Sequence, residues 1–275
     1  MKISILGCGW LGLPLAEHLI KQKHIIKGST TSPDKIERLR QKGIAPFLIK
    51  FSPQPEFIER ERSFFKADVL VLNIPPGRGH DNVIDYHTRQ IKAIIEMVKD
   101  STINFVIFIS STSVYPSYPG TVTEKDAVPG SAGRDSGNAL LKAEQMLIDA
   151  TSFETTVLRF GGLYGSDRHP AKYMAGKQNL PKANAPVNLI HRDDCIAIIT
   201  QIIEEHITGE VFNAVSDGHP TRQDYYTKAA KTLGLEPPIF DQDQTDKNYK
   251  IVDSTKLKKR LPYTFMYPDP LLPLA

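Results

Sequence analysis

"SILGCGWLGLPLAEHL", residues 4–19, sets Gly7, Gly9 and Gly12 as G-x-G-x-x-G between a short apolar run and a helix-forming stretch. Each glycine answers a separate physical demand. Gly7 permits the tight turn, Gly9 lets a diphosphate touch bare backbone, and Gly12 lets the helix lie against the strand. Trp10 and Leu11 complete the loop, and the helix tip offers free N–H groups and partial positive charge to an anion. The motif is weak alone and strong in the first strand–helix unit of an alternating chain. It implies a nicotinamide dinucleotide.

That alternation runs outward from the loop. Apolar runs at 2–6, 24–29, 45–49, 69–73, 105–110 and 155–160 are short and nearly continuous, as in parallel strands buried on both faces. Between them Leu11, Leu15 and Leu19 repeat every four residues, and Ile91, Ile94, Ile95 and Val98 line one helix face. The expected fold is α/β, a Rossmann-type doubly wound parallel sheet over residues 1–160. Residues 161–275, with strands near 187–190 and 211–214 and helices near 192–206 and 221–233, are expected to form a smaller, interwoven C-terminal substrate-binding lobe.

The end of the second strand, "KGSTTSPDK" (27–35), lacks the acid that holds a ribose 2′-hydroxyl in NAD sites. Ser29, Thr30, Thr31 and Ser32 supply hydroxyls and Lys35 a cation, which suits a 2′-phosphate. NADP is the expected cofactor, with NAD the alternative. The same residues also read as a helix start, Ser32 at the N-cap and Pro33 behind it.

Composition bounds the rest. The 275 residues are 40% apolar and 24% charged, ordinary for a globular chain. A net charge of +3 gives no argument for nucleic acid or a membrane surface. No apolar run approaches the roughly 20 residues of a membrane span. Cys8 and Cys195 are far apart, without metal-ligand spacing, and a reducing cytoplasm is expected. Asp193 and Asp194 have no third ligand at metal spacing, so no metal site is expected.

Four further segments, in order, carry a resemblance: "FVIFISSTSVYP" (105–116), "VLRFGGLYG" (157–165), "NLIHRDDCIAII" (188–199) and "GEVFNAVSDGHPT" (209–221). With the glycine loop they resemble the extended and atypical short-chain dehydrogenase/reductases, the group of nucleotide-sugar epimerases, dehydratases and reductases. The resemblance implies an NAD(P)-dependent oxidoreductase with a polar carbonyl or hydroxyl substrate such as a nucleotide-sugar, and it admits a homodimer. It puts Ser111, four residues before Tyr115, where the family's hydroxyl holds the substrate oxygen. Ser110 stands beside it, next to the cofactor. "NIPPG" (73–77) resembles an atypical subgroup that lacks the catalytic tyrosine, with Asn73 and Pro75 under the cofactor.

That tyrosine is missing from "SGNALLKAE" (136–144). If Lys142 is the family lysine, Asn138 stands where the phenol belongs. If Glu144 is the acid usual later on that helix, Ser136 and Leu140 take the two positions. Neither register contains Tyr-x-x-x-Lys, and neither Asn nor Ser replaces a phenol as proton donor. Tyr164 and His191 are the candidate substitutes, since either exchanges a proton, with Lys142 beside them as candidate catalytic lysine. Arg78, Tyr115, Arg168 and Asn188 are candidate substrate contacts, the arginines as two-pronged anion grips. A dinucleotide-binding sensor without turnover is the competing reading.

Overall fold

The computed structural model describes residues 1–51, 59–77, 81–117, 119–165, 167–241 and 249–272. Strand and helix alternate from the start: β1 (Lys2–Leu6), α1 (Gly12–Lys21), β2 (Ile25–Thr30), α2 (Ile36–Gln41), β3 (Ala45–Leu48), α3 (Glu59–Phe64), β4 (Val69–Leu72), α4 (Val83–Lys99) and β5 (Phe105–Ser111). Then follow β6 (Gly120–Val122), α5 (Asp135–Ile148), β7 (Glu154–Phe160), β8 (Gly162–Tyr164), β9 (Leu189–His191) and α6 (Arg192–Glu204). The chain closes with β10 (Val211–Ala214), α7 (Arg222–Thr232), β11 (Lys250–Val252) and α8 (Thr255–Arg260).

Seven strands form one sheet in the order β3-β2-β1-β4-β5-β7-β10, and every neighbouring pair is parallel. Side chains alternate across it, as the two-residue period requires. Ile3, Ile5, Val69, Val71, Phe105 and Ile107 pack on one face with Leu15 and Leu19 of α1 and Ile198 and Ile202 of α6. Leu6, Leu70, Leu72, Val106 and Phe108 pack on the other with Ile91 and Ile94 of α4 and Leu147 of α5. Burial on both sides explains why the strands read as unbroken apolar runs. Ser4 is the buried polar residue of β1, and its hydroxyl donates to the Phe64 carbonyl at 2.5 Å.

The doubly wound expectation therefore holds, and the strand order reverses at the β1–β4 boundary. In such sheets the crevice at the carboxyl ends of the strands beside that boundary is the ligand site. Residues 211–214 join the main sheet as β10 beside β7 instead of standing apart with the C-terminal segments. An apolar run is the same whichever sheet it joins, so its partner was not readable locally. The three-residue strands are two further small parallel pairs, β6 with β11 and β8 with β9. They are too short to leave a period. Among the described residues no helix is long and apolar enough to cross a membrane.

Candidate functional site

The glycine loop is built by steric exclusion. Gly7 has φ +106°, and a Cβ there would stand 2.4 Å from the Asn73 carbonyl oxygen. A Cβ on Gly12 would stand 2.2 Å from the Gly7 carbonyl oxygen. At Gly9 the same atom meets nothing within 4 Å, so the loop's crest faces open space. Ser29 anchors the loop from β2: Gly7 N–H donates to its Oγ at 2.9 Å and Cys8 N–H to its carbonyl at 2.8 Å. From β4, Asn73 Nδ2 donates to the Gly7 carbonyl at 3.1 Å. Helix α1 starts behind the loop with no side-chain cap and no acid in its first turn. Leu13 N–H already donates to the Gly9 carbonyl and Pro14 has none, so the N–H groups left to an anion are those of the loop and of Gly12. Burial pushes the Cys8 thiol up to about 12, opposed by the Ser29 backbone, so it is no nucleophile.

From this crest a cleft of about 500 Å³ runs along the strand ends. Gly7, Gly9, Trp10, Leu11, Thr30, Thr31, Lys35, Asn73, Pro75 and Ser110, all expected at the cofactor, line it. Gly12 lies beneath, packed on Gly7. Ser32 is not among the lining residues; it stands at the N-cap position of the turn Pro33–Lys35 but makes no side-chain cap bond. Ile109, Leu140 and Leu163 line the same cleft as Ser110 and Ser111. Ser111 Oγ also accepts from Ser113 N–H at 3.1 Å, which leaves its own proton free to donate.

Helix α5 turns a different face to the cleft than Lys142 required. Leu140 lines the cavity and Glu144 is buried, whereas Lys142 is exposed. Residues four apart share a helix face, and Lys142 lies about 200° round from Leu140. Asn138 is engaged with Ala132, accepting from its N–H at 3.1 Å and donating to its carbonyl at 3.3 Å. Glu144 accepts the Ser110 hydroxyl at 2.5 Å and pairs with Arg159 of β7 at 2.6 Å. Arg159 Nη1 in turn donates to the Tyr115 hydroxyl at 2.9 Å. Sequence reading missed this buried network, although Arg159 stands as a lone cation inside the apolar run "VLRF".

The remaining candidates separate. Arg168 lines the cleft. Tyr115 is buried and donates to Asn213 Oδ1 at 2.6 Å, and burial pushes its phenol up to about 12 despite Arg159 beside it. Asn188 bridges to β11, donating to the Lys250 carbonyl and accepting from Val252 N–H. Tyr164 is buried outside the cleft lining, with its phenol raised chiefly by desolvation and further by Asp194. His191 caps α6, its Nδ1 accepting from Asp193 N–H at 3.2 Å, and its ring lies 3.7 Å from that of Tyr267. Burial lowers its pKa against the pull of Asp193. Tyr164 and His191 thus pack against each other, 5.1 Å between rings, as parts of the domain's wall rather than of the cleft. Local spacing marks a residue as near a strand end without saying which way its side chain leaves. Arg78 lies outside the described residues.

A second cluster unites residues distant in sequence. Trp10 Nε1 donates to Asp167 Oδ1 at 3.0 Å, and Arg192 Nη1 donates to the same oxygen at 2.8 Å. The guanidinium groups of Arg168 and Arg192 lie 5.0 and 4.8 Å from the Trp10 ring centre. Among the described residues no group of three His, Cys, Asp or Glu could hold a metal ion.

No family model matches the chain. Protein YeeZ of Escherichia coli K12 is 33% identical over 272 residues, 98% of each chain. Among solved structures, a UDP-glucose 4-epimerase of Thermotoga maritima with UDP-glucose shares the fold at a TM-score of 0.79 and 17% identity, over 100% of this chain and 97% of that one. A UDP-glucuronic acid 4-epimerase of Bacillus cereus in complex with NAD gives 0.78 and 20%, over 98% and 94%. A functionally unknown conserved protein from Silicibacter pomeroyi gives 0.76 and 23%, over 99% and 96%.

Proposed function

We propose that the chain, which belongs to the family of Protein YeeZ, its 33%-identical relative, and shares its fold with NAD-dependent epimerases and dehydratases, is an NADP-preferring oxidoreductase of the epimerase/dehydratase-like short-chain dehydrogenase/reductase type. Its substrate is a nucleotide-sugar or another polar carbonyl or hydroxyl compound, admitted from the side of residues 161–275. The observation that carries this is the continuous cleft from the glycine loop to Ser110 and Ser111. The residues present fit a dinucleotide: Gly9 leaves open space where any side chain would intrude, above an uncapped helix tip. The N–H groups of Gly9, Trp10 and Leu11 would hold its diphosphate, and Thr30, Thr31 and Lys35 its adenosine end. Ile109, Leu140 and Leu163 would seat the nicotinamide ring, which when bound supplies hydride transfer. Ser111 holds the substrate oxygen as donor. The free, buried thiols of Cys8 and Cys195 accord with a cytoplasmic site of action.

One feature favours the second reading, a dinucleotide-binding sensor without turnover. No tyrosine or histidine lines the cleft among the described residues, where helix α5 contributes Leu140. Purified protein and NADPH are incubated with sugar nucleotides and simple aldehydes. Saturable oxidation that Ser111→Ala abolishes is expected of the enzyme. NADPH binding without oxidation across the panel selects the sensor.

A further inference from the structure

The glycine loop carries one aromatic side chain, and the turn after β8 is built around it. Gly165 and Arg168 close that turn with two backbone hydrogen bonds, each donating to the other's carbonyl, at 3.1 and 3.0 Å. A Cβ on Gly165 would stand 3.1 Å from the Trp10 ring, so the missing side chain is what lets the turn lie against the indole. Asp167 accepts the indole N–H, and the Arg168 guanidinium sits 5.0 Å from the ring centre. Arg192, at the start of α6, completes the cluster, paired with Asp167 at 2.8 Å and 4.8 Å from the same ring. We propose that Trp10 is a positioning residue that clasps this turn to the dinucleotide loop, so that occupancy of the loop and placement of Arg168 in the cleft are coupled.

A diphosphate uses only the backbone of such a loop, so it does not account for the indole. The main chain of Trp10 belongs to the crest that faces the cleft, while its ring holds Asp167, Arg168 and Arg192 from the far side. Burial works against ionisation of the Asp167 carboxyl, yet the Trp10 and Arg192 hydrogen bonds outweigh it and hold its pKa below the usual range. The Asp167 side chain is nevertheless 58% exposed, while that of Arg192 is 16% exposed. The turn can therefore leave the ring by releasing contacts that water already reaches, without opening the core. Among the described residues no carboxylate lines the cleft, so the Arg168 charge meets none there and is set for an anionic group while the turn is docked. A dinucleotide that orders the glycine loop also orders Trp10, so docking of the turn then has less freedom left to remove. By linkage, the docked turn favours the dinucleotide by the same factor.

The coupling rests on the dinucleotide reading, and limited trypsin digestion of the full chain separates the two. Cleavage after Arg168 requires the turn to undock, and mass spectrometry distinguishes it from cleavage after Lys23, exposed beyond the far end of α1. Saturating NADP⁺ is expected to slow cleavage after Arg168 about tenfold more than cleavage after Lys23. Asp167→Ala, at an exposed side chain, removes that slowing. It weakens NADP⁺ and NAD⁺ alike, each by no more than about tenfold, because the clasp acts on the loop that both dinucleotides share. Trp10→Phe keeps a ring and loses the N–H, and it is expected to lose most of the slowing while calorimetry still shows both dinucleotides bound. Full protection in either variant overturns the clasp, as does binding of NADP⁺ to the parent chain without a change at Arg168. Weaker NADP⁺ with unchanged NAD⁺ in Asp167→Ala overturns it as well, since Asp167 would then act on the 2′-phosphate alone. If calorimetry shows neither dinucleotide bound to the parent chain, the dinucleotide reading falls and takes the clasp with it.

Discussion

A single added carbon tests the glycine loop. At Gly12 the new Cβ collides with the Gly7 carbonyl, a backbone atom that cannot rotate away. Gly12→Ala should cost about 1–3 kcal/mol of stability, as overpacking does, together with dinucleotide binding. At Gly9 the new Cβ meets no protein atom. Gly9→Ala should therefore leave the unfolding midpoint within about 0.5 kcal/mol of the parent while it weakens binding of NADPH. Denaturant titration and calorimetry on the two variants separate a fold glycine from a ligand glycine. Equal losses of stability would contradict that division. Spacing alone found all three glycines. It did not find Arg192, because nothing local distinguishes an arginine that packs on Trp10 from one in open solvent.

At the level of the elements, a buried ion pair ties α5 to β7, and Ser110 joins β5 to it. Glu144 and Arg159 are both nearly inaccessible, and Ser110, Tyr115 and the Glu124 carbonyl supply further hydrogen bonds to them. Burial opposes the charge on Arg159, but Glu144 overrides it and raises the guanidinium pKa. Removing one partner strands the other charge in a low-dielectric interior, so Glu144→Ala should destabilise by about 3–5 kcal/mol. Lys142→Ala, two residues away, should stay within about 0.5 kcal/mol and bind NADPH as before. Chemical denaturation of both variants checks the contrast. A large loss at Lys142, or none at Glu144, would show that the helix face is wrongly placed. The stretch "SGNALLKAE" allowed both registers, since a period of 3.6 residues shows which residues share a face and not which face turns inward.

Across the whole molecule the histidines make stability depend on pH in one direction. His24, His87, His169, His191 and His219 all have pKa values below the ordinary 6.5, in each case chiefly through burial. The unfolded chain therefore binds more protons than the folded one in the window just below 6.5. Stability is fully present above that value and is lost as pH falls towards the depressed folded pKa values. The melting temperature should drop between about pH 7.5 and about pH 5.5, a range centred on the unperturbed histidine value. His191→Asn, which retains an N-cap acceptor for α6, should flatten that slope without removing it. A melting temperature that rises on acidification would refute the shared sign.

The glycine loop, the alternation of strand and helix and the missing acid after β2 were all legible because each is a local pattern. Periodicity, turn chemistry and motif spacing act over a few residues, and they suffice for a doubly wound sheet with a glycine loop after its first strand. What only the tertiary structure decided is which side chains meet. Trp10 and Asp167 are 157 positions apart and Tyr115 and Asn213 are 98 apart, yet each pair forms a hydrogen bond. The same long-range packing turned Tyr164, His191 and Asn188 into wall and left Ser111, Arg168 and Leu140 in the cleft. Contacts at such separations follow from how the sheet and its covering helices close on one another, which no short window of sequence encodes.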